Sequence, residues 1–367
     1  NSRISLSNND SSGAVGTTIF GYLAGDDIAS GGINNTLFGH NAGHTLKLAD
    51  NNIAIGYGAM DESYIDDTQD ALTVDNVFIG NNSGGGDWAT AASHSNTAIG
   101  SHSMDAPMNG AIRNTGVGFQ ALTSLTTGDD NVTMGFHSGY TLTTGLENVL
   151  IGAYAGDAIT SQDECVLIGY GAGGALNNDT ADGTVAIGYL AGYNITSGAG
   201  NLAIGSKALF THTTGGNNIA IGSGAMDDTD AGSDSLNSTD NIFVGVNAGG
   251  GTWGDAVCSQ NIGIGTSVMD AAMNGAGNNV GIGHYAMSSA TTADDNVAIG
   301  GGAAYNITTG DDNIAIGKNS MLVHTTGMRN TVIGTNAMDD TNAGSTSKGS
   351  NDNIFIGFDS GGGTWTD

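Results

Sequence analysis

The sequence predicts an all-β protein, a parallel β-solenoid of about 19 coils that are mostly 17 residues long. One phrase, Asn followed by three mostly apolar residues and Gly, returns nineteen times in 367 residues, for example at 52–56 and 218–222. A fixed period of roughly 20 residues with one short strand per unit is typical of a solenoid, because each coil buries its apolar side only when neighbours stack on it. The β-branched residues of the phrase supply the buried surface that disordered chains lack.

The last residue of the phrase, called here the phrase glycine, marks each coil. Phrase glycines are 17 to 20 residues apart, except at three steps of 23 or 24 residues, whose extra residues are expected to form surface loops. We therefore predict a divergent lead-in at 1–16 and one repeat domain at 17–367, with long-loop coils at 57–110, 223–275 and 335–367. The phrase glycines are Gly21, Gly39, Gly56, Gly80, Gly100, Gly118, Gly135, Gly152, Gly169, Gly188, Gly205, Gly222, Gly245, Gly265, Gly283, Gly300, Gly317, Gly334 and Gly357.

An asparagine opens most coils. The residue four positions before the phrase glycine is Asn in 16 of the 19 coils. Stacked amides can hydrogen-bond from coil to coil, as they do in cross-β stacks, so these residues are expected to form a structural ladder. Representative ladder residues are Asn52, Asn131, Asn148, Asn201, Asn218, Asn296 and Asn313.

The three residues between Asn and Gly predict how chains associate. The first and third of them are apolar or Thr throughout and are expected to point into the coil. The middle residue, as in Ala54, Ala220 and Ala315, is never charged and is expected to point outward. Because a strand that is apolar on both faces is buried on both faces, we predict that other copies of the chain cover the middle residues. A homotrimer, intertwined or side by side, is favoured, and a monomer with an exposed stripe of small residues is the alternative.

Methionine recurs in one register of the repeat. Seven of the eleven methionines stand four residues after a phrase glycine, where nine other coils have Gly. A flexible thioether suits an irregular gap, so we interpret this column as core filling and not as metal binding.

The charge of the chain restricts its partners. The formal net charge is −29, with only seven Lys and Arg residues. Nucleic acids and anionic membranes are bound through clustered basic residues, so neither is an expected partner. No stretch of 18 continuous apolar residues is present, so membrane insertion is not expected either.

The repeat resembles a known family. The segments 201–215 and 306–317 combine Asn-Leu-Ala-Ile-Gly or Asn-Ile-Ala-Ile-Gly with Thr-Thr-Gly. They are similar to the head repeats of trimeric autotransporter adhesins, and still more to repeats of bacteriophage tail fibres. The resemblance covers the chain from Thr17 onward. It implies a left-handed parallel β-roll, three chains around one axis, and a role in adhesion or receptor recognition.

The resemblance sets the expected function and its alternatives. We expect the shaft or head of a phage tail fibre, located on the virion, that attaches to a host cell-surface glycan or protein. The first alternative is a bacterial trimeric adhesin at the cell surface. The second is a monomeric ice-binding or calcium-dependent solenoid, which is prompted by recurring Thr-Thr pairs such as 126–127 and 143–144.

All three tryptophans occupy one position of the repeat. Trp88, Trp253 and Trp365 each follow a Gly-Gly-Gly-x segment in a long coil. A tryptophan on such a loop can stack on a sugar ring, which makes these residues candidate ligand-binding residues. The other interpretation is packing inside the same coils, which also contain Phe78, Phe243 and Phe355.

Acidic residues precede the ladder asparagine in eight coils. Neighbours in this column are expected about 5 Å apart, and oxygen-rich clusters suit Ca²⁺. A solvated acidic edge is the other interpretation. The candidate calcium ligands are Asp130, Glu147, Glu164, Asp295 and Asp312.

Nothing in the sequence indicates catalysis. There is no nucleophile elbow and no phosphate-binding loop, and the Gly-x-Gly triplets belong to solenoid corners. The eight histidines lack metal-ligand spacing. We therefore predict that the chain is not an enzyme and that calcium is its only candidate cofactor.

Overall fold

The prediction of an all-β parallel β-solenoid is confirmed by a computed structural model of the chain. The chain divides into two compact units, unit 1 at Asn1–Gly183 and unit 2 at Thr184–Asp367. The structure describes residues 4–5, 15–28, 31–61, 73–88, 91–229, 237–340 and 349–363. Most of the extra residues of the three long-loop coils lie outside these ranges.

Within its described residues, unit 1 contains ten strands and one short 3-10 helix, Asp179–Ala181. Strand β1 pairs antiparallel with β2, and β2 to β10 then pair in parallel, each with the next along the chain. The strands are β1 Ile4–Ser5, β2 Thr18–Phe20, β3 Thr36–Phe38, β4 Ile53–Ile55, β5 Val77–Ile79, β6 Thr97–Ile99, β7 Thr115–Val117, β8 Val132–Met134, β9 Val149–Ile151 and β10 Val166–Ile168.

The described part of unit 2 contains ten further strands, β11 to β20, and each pairs in parallel with the next along the chain. Equivalent residues of neighbouring coils are register partners, as Ala220 and Phe243 are. The strands are β11 Val185–Ile187, β12 Leu202–Ile204, β13 Ile219–Ile221, β14 Ile242–Val244, β15 Ile262–Ile264, β16 Val280–Ile282, β17 Val297–Ile299, β18 Ile314–Ile316, β19 Thr331–Ile333 and β20 Ile354–Ile356.

Coil stacking explains why every strand from β2 to β20 ends at a glycine. The phrase glycines have φ between +131° and +149°, a conformation that residues with a side chain rarely adopt. A Cβ atom at Gly300 would lie 2.5 Å from the carbonyl oxygen of Gly317 in the next coil. The phrase glycine is therefore required both by its backbone conformation and by the close approach of the neighbouring coil.

The predicted direction of the strand side chains is wrong. The middle residues face the inside of their own coil: Ala54 and Ala220 are 0% exposed and Ala315 is 1% exposed in the single chain. Every middle residue is buried except those of β2 and β20, whereas the first and third residues are partly or fully exposed in β2 to β20. The prediction failed because all three residues are apolar, so alternation along the strand could not distinguish inside from outside. The argument for a trimer that rested on outward-facing middle residues therefore no longer holds.

The middle residue packs against the residue four positions after the phrase glycine. A Cβ atom at Gly249 would lie 2.9 Å from the ring of Phe243, so a large middle residue requires Gly opposite it. Where the middle residue is small, as at Ala220, the same coil has a buried Met such as Met226. The end of Met269 would lie 2.8 Å from a Cβ atom at Gly281, the small middle residue of the following coil. This confirms the core-filling interpretation of the methionines. Further pairs of the first kind are Leu37 with Gly43 and Leu167 with Gly173, and of the second kind Ala54 with Met60 and Ala98 with Met104.

Candidate functional site

The first candidate site is a surface present in each unit that we call the outer face, formed by the first and third residues of strands β2 to β10 in unit 1 and of β11 to β20 in unit 2. These residues are Ile, Val, Leu, Thr, Phe or Met, and none is charged. In three successive coils of unit 2, Ile264, Ile282 and Ile299 are 41%, 37% and 38% exposed. Regular strand pairing sets these side chains in straight rows that run from coil to coil. An exposed apolar surface of this regularity marks an interaction site.

In unit 1 the apolar surface continues around the corner that follows each strand. Phe119 and Phe136, directly after their phrase glycines, stack with their ring centroids 5.4 Å apart. Phe136 also stacks on His137 at 4.1 Å, and Tyr154 meets Tyr170 edge to face at 5.8 Å. Phe119, Phe136 and Tyr170 are 42% to 51% exposed. Aromatic side chains therefore extend the apolar surface beyond the strands.

The candidate calcium ligands lie at the opposite edge, just before each strand. Asp130, Glu147 and Glu164 lie in three successive coils. The backbone N–H groups of Glu147 and Glu164 each bond to the preceding coil. All five candidates, Asp295 and Asp312 included, have φ between +57° and +59°. Asp and Asn tolerate this left-handed conformation better than most residues, which gives the column a structural reason for its composition.

Carboxylates of this edge already have partners in the protein. The Nε and Nη2 atoms of Arg113 donate to Asp130 at 2.6 Å each, and this bidentate hydrogen bond holds the pKa of Asp130 below its usual value. Asp129 accepts the backbone N–H of Ile112 at 2.8 Å, and Asp311 accepts that of Asp294 at 2.9 Å. Within the part of the chain that the structure describes, no group of three or more His, Cys, Asp or Glu residues could hold a metal ion.

The candidate ladder asparagines form one buried row in each unit. The Oδ1 atom of Asn131 accepts the backbone N–H of Asn148 at 3.1 Å and the Nδ2–H of the same residue at 3.0 Å. Asn148 Nδ2 also donates to the backbone carbonyl of Gln162 at 2.8 Å. The first two bonds recur between other neighbouring ladder residues. The pairs are Asn35 with Asn52 in unit 1, and Asn201 with Asn218, Asn279 with Asn296 and Asn296 with Asn313 in unit 2. The row satisfies buried amides coil by coil.

Two of the candidate tryptophans lie inside their coils. Trp88 is 3% exposed and Trp253 is 0% exposed. They meet Phe78 and Phe243 edge to face at centroid distances of 6.0 and 6.1 Å. Their Nε1–H groups donate to the backbone carbonyl four residues earlier, at 3.2 and 2.9 Å. A ring enclosed in this way offers no face to a sugar, so the structure favours packing. Trp365 lies outside the described residues.

The first Thr of several Thr-Thr pairs bonds to the next coil, whereas the second, as at Thr127, Thr144 and Thr309, is exposed. The hydroxyl of Thr126 donates to the backbone carbonyl of Thr143 at 3.0 Å, and that of Thr143 donates to Thr160 at 2.9 Å. Thr291 and Thr308 repeat the pattern in unit 2. The first Thr of these pairs thus uses its hydroxyl donor to join coils.

No protein-family model, no curated protein and no solved structure matches this chain. No helix in the described ranges is long and apolar enough to cross a membrane. The outer face, the ladder and the edges of the sheet are therefore the observations on which a function can be based.

Proposed function

We propose that this chain is the shaft or head of a homotrimeric surface fibre, most specifically of a phage tail fibre, and that it attaches the fibre to a host cell surface. The observation that carries the proposal is the uncharged, apolar outer face. In the single chain its Ile residues are more than a third exposed at β15, β16 and β17. Covering them in an assembly removes apolar surface from water.

A second copy of the same chain is the partner that best fits this face. Its rows repeat with the spacing of stacked strands, about 4.8 Å, so a surface with the same spacing can pack against it continuously. The chain as a whole carries a net charge of −29, whereas the outer face carries none. Like-charged copies can therefore approach each other through this face, while their acidic residues remain at its edge in water.

The finer features of the assembly follow from the resemblance of the repeats. A left-handed β-roll and three parallel chains around one axis are the arrangement that it implies. The ligand at the host surface is proposed to be a glycan or a protein, and no catalytic step is involved. A bacterial trimeric adhesin uses the same assembly in another location. For the monomeric alternatives, the hydroxyls of Thr126 and Thr291 are used to bond neighbouring coils, so an exposed threonine face would have to consist of the second Thr of each pair.

The molar mass in solution tests the proposed assembly. We expect light scattering during size-exclusion chromatography to give three times the chain mass of 36.5 kDa. A double variant, Ile282→Lys with Ile299→Lys, places two charges on the outer face and is expected to reduce the mass to that of one chain while the circular dichroism stays β-type. Ala298→Lys is the control variant, because it places a charge on an inward-facing residue, and it should instead abolish the fold. A single-chain mass for the unchanged protein would contradict the trimer.

Attachment is tested separately with fluorescently labelled protein and a panel of bacterial cells. We expect binding to at least one strain, and its loss after glycosidase or protease treatment identifies the kind of receptor. The single-chain Lys variant should bind more weakly, because it lacks avidity. Binding to every strain no better than that of an unrelated acidic protein would contradict the attachment role.

A further inference from the structure

Two buried histidines replace the usual core residue in unit 2. His212 and His324 stand seven residues after their phrase glycines, a position that other coils fill with buried apolar residues such as Leu142 and Ile159. Both histidines are 0% exposed. Each lies in the coil directly before one of the long coils, which run from Gly222 to Gly245 and from Gly334 to Gly357. A buried ionisable side chain is therefore adjacent to each of these two long coils.

The contacts of His212 suit a neutral ring. Its Nε2 lies 3.0 Å from the backbone carbonyl oxygen of Gly215, and its Nδ1 lies 3.2 Å from the hydroxyl of Thr229 in the next coil. A neutral imidazole satisfies both contacts when Nε2–H donates to Gly215 and Nδ1 accepts from the Thr229 hydroxyl. The Nδ2 of the ladder residue Asn218 lies 3.2 Å from Nε2 but donates to Asn201 and Ser238. The ring therefore packs beside the ladder and is bonded to the next coil through Thr229.

His324 has a similar setting. Its Nε2 lies 3.3 Å from the Nδ2 of the ladder residue Asn330, and a backbone hydrogen bond links the ring to Ser350. Its buried Nδ1 atom has no hydrogen-bond partner among the residues that the structure describes. A second proton on this ring would place a charge in a buried site.

Among the described residues, no carboxylate is hydrogen-bonded to either ring. The described groups in contact with His212 are the Gly215 carbonyl, the Thr229 hydroxyl and the Asn218 amide, and those in contact with His324 are Asn330 and Ser350. Burial is the main cause that lowers the pKa of both imidazoles to about 4, and a backbone hydrogen bond opposes it in each case. The five histidines of unit 1, by contrast, are all at least partly exposed.

We propose that His212 and His324 form an acid-sensitive device, in which their protonation loosens the stacking of the two coils on the long coils that follow them. The unfolded imidazole titrates near pH 6.5, about 2 to 3 units above the buried one. Because the folded form binds the proton more weakly, stability is complete above about pH 6.5 and is lost as the pH falls toward 4. This inference concerns the fold of unit 2 and is independent of the proposed attachment role.

Hydrogen exchange of the full chain at pH 7.5 and pH 5.0 tests the device. After correction for intrinsic exchange rates, we expect amides of 202–222 and 314–334 to open about 30-fold more often at pH 5.0, the factor that one histidine with these two pKa values produces. Coils of unit 1 at 115–169 serve as the internal reference and should change far less. An equal change in both units would overturn the proposal.

Two variants separate the histidines from other acid effects. His212→Leu with His324→Leu installs the residue type found in other coils and is expected to remove the difference between the units. Leu142→His in unit 1 should transfer acid sensitivity to the coils around it. If the double variant keeps the difference, or if NMR titration of the unchanged protein gives both imidazoles pKa values near 6.5, the proposal is wrong.

Discussion

At the scale of single residues, the phrase glycine is the position that tolerates least change. Its neighbour Gly301 provides a natural comparison, since a Cβ atom there would meet only the carbonyl oxygen of His284, at 3.9 Å. At Gly300 the same atom would lie 2.5 Å from the Gly317 oxygen, on a backbone with φ of +136°. Two adjacent glycines thus differ completely in the constraint that stacking imposes on them.

We expect Gly300→Ala to destabilise unit 2 by about 3 kcal/mol or more, because backbone strain and a clash with the next coil add together. Gly301→Ala should change the free energy of unfolding by about 1 kcal/mol or less. Urea denaturation followed by circular dichroism measures both. Equal losses for the two variants would mean that stacking does not impose the constraint.

At the scale of one coil, the core is a pair of complementary positions. In several coils the middle residue of the strand and the residue four positions after the phrase glycine share one space, and Gly stands opposite a large side chain, as Gly249 does with Phe243. Met226 has a left-handed φ of 50° and is buried in the same coil as the small residue Ala220. Gly at this position is therefore favoured by backbone conformation, and Met is used where packing requires volume.

The pairing predicts compensation between Ala220→Leu and Met226→Gly. Ala220→Leu alone overpacks the coil and should cost about 1 to 3 kcal/mol. Met226→Gly alone leaves a cavity and should cost about 2 to 5 kcal/mol. The double variant reproduces the combination found at Leu167 and Gly173, and we expect it to recover most of the loss in a double-mutant cycle of unfolding free energies. Additive losses would show that the two side chains do not share a space, and Ile219→Val on the outer face is the control.

The sequence predicted the period, the strands and the glycine corners, since each repeats at a fixed spacing. It did not predict which side of the strand is inside, because Ile219, Ala220 and Ile221 are all apolar. The compensation between Ala220 and Met226, repeated in other coils, was the signal that could have decided this. The outer face was missed for the same reason. The buried role of His212 depends on a contact with Thr229, 17 residues away, which composition alone does not reveal.

At the scale of the whole molecule, electrostatics is dominated by a net charge of −29. The acidic residues at the edge of the outer face accept backbone N–H groups, pair with Arg113 or Arg329, or occupy left-handed positions. Self-repulsion among so many carboxylates should nevertheless make stability sensitive to the ionic medium.

We therefore expect sodium chloride to raise the melting temperature, and millimolar calcium to raise it no further than sodium chloride of equal ionic strength. The reason is that screening needs no specific ligand geometry, whereas a calcium site needs six or more oxygens. Differential scanning calorimetry with chelator, calcium and matched sodium chloride measures the effect. A rise of several degrees that is specific to calcium, and its loss in Glu147→Gln, would identify a metal site in the acidic column.

The asparagine row has a consequence for how such a protein can evolve. Each amide bonds to its counterparts in the adjacent coils and to a backbone carbonyl of the next coil, so its contacts do not depend on how many coils precede it. An in-frame duplication or deletion of one repeat in the gene would restore the same junction on either side. Genes that encode this architecture can therefore change the number of coils by unequal recombination, while every remaining junction between coils keeps its geometry.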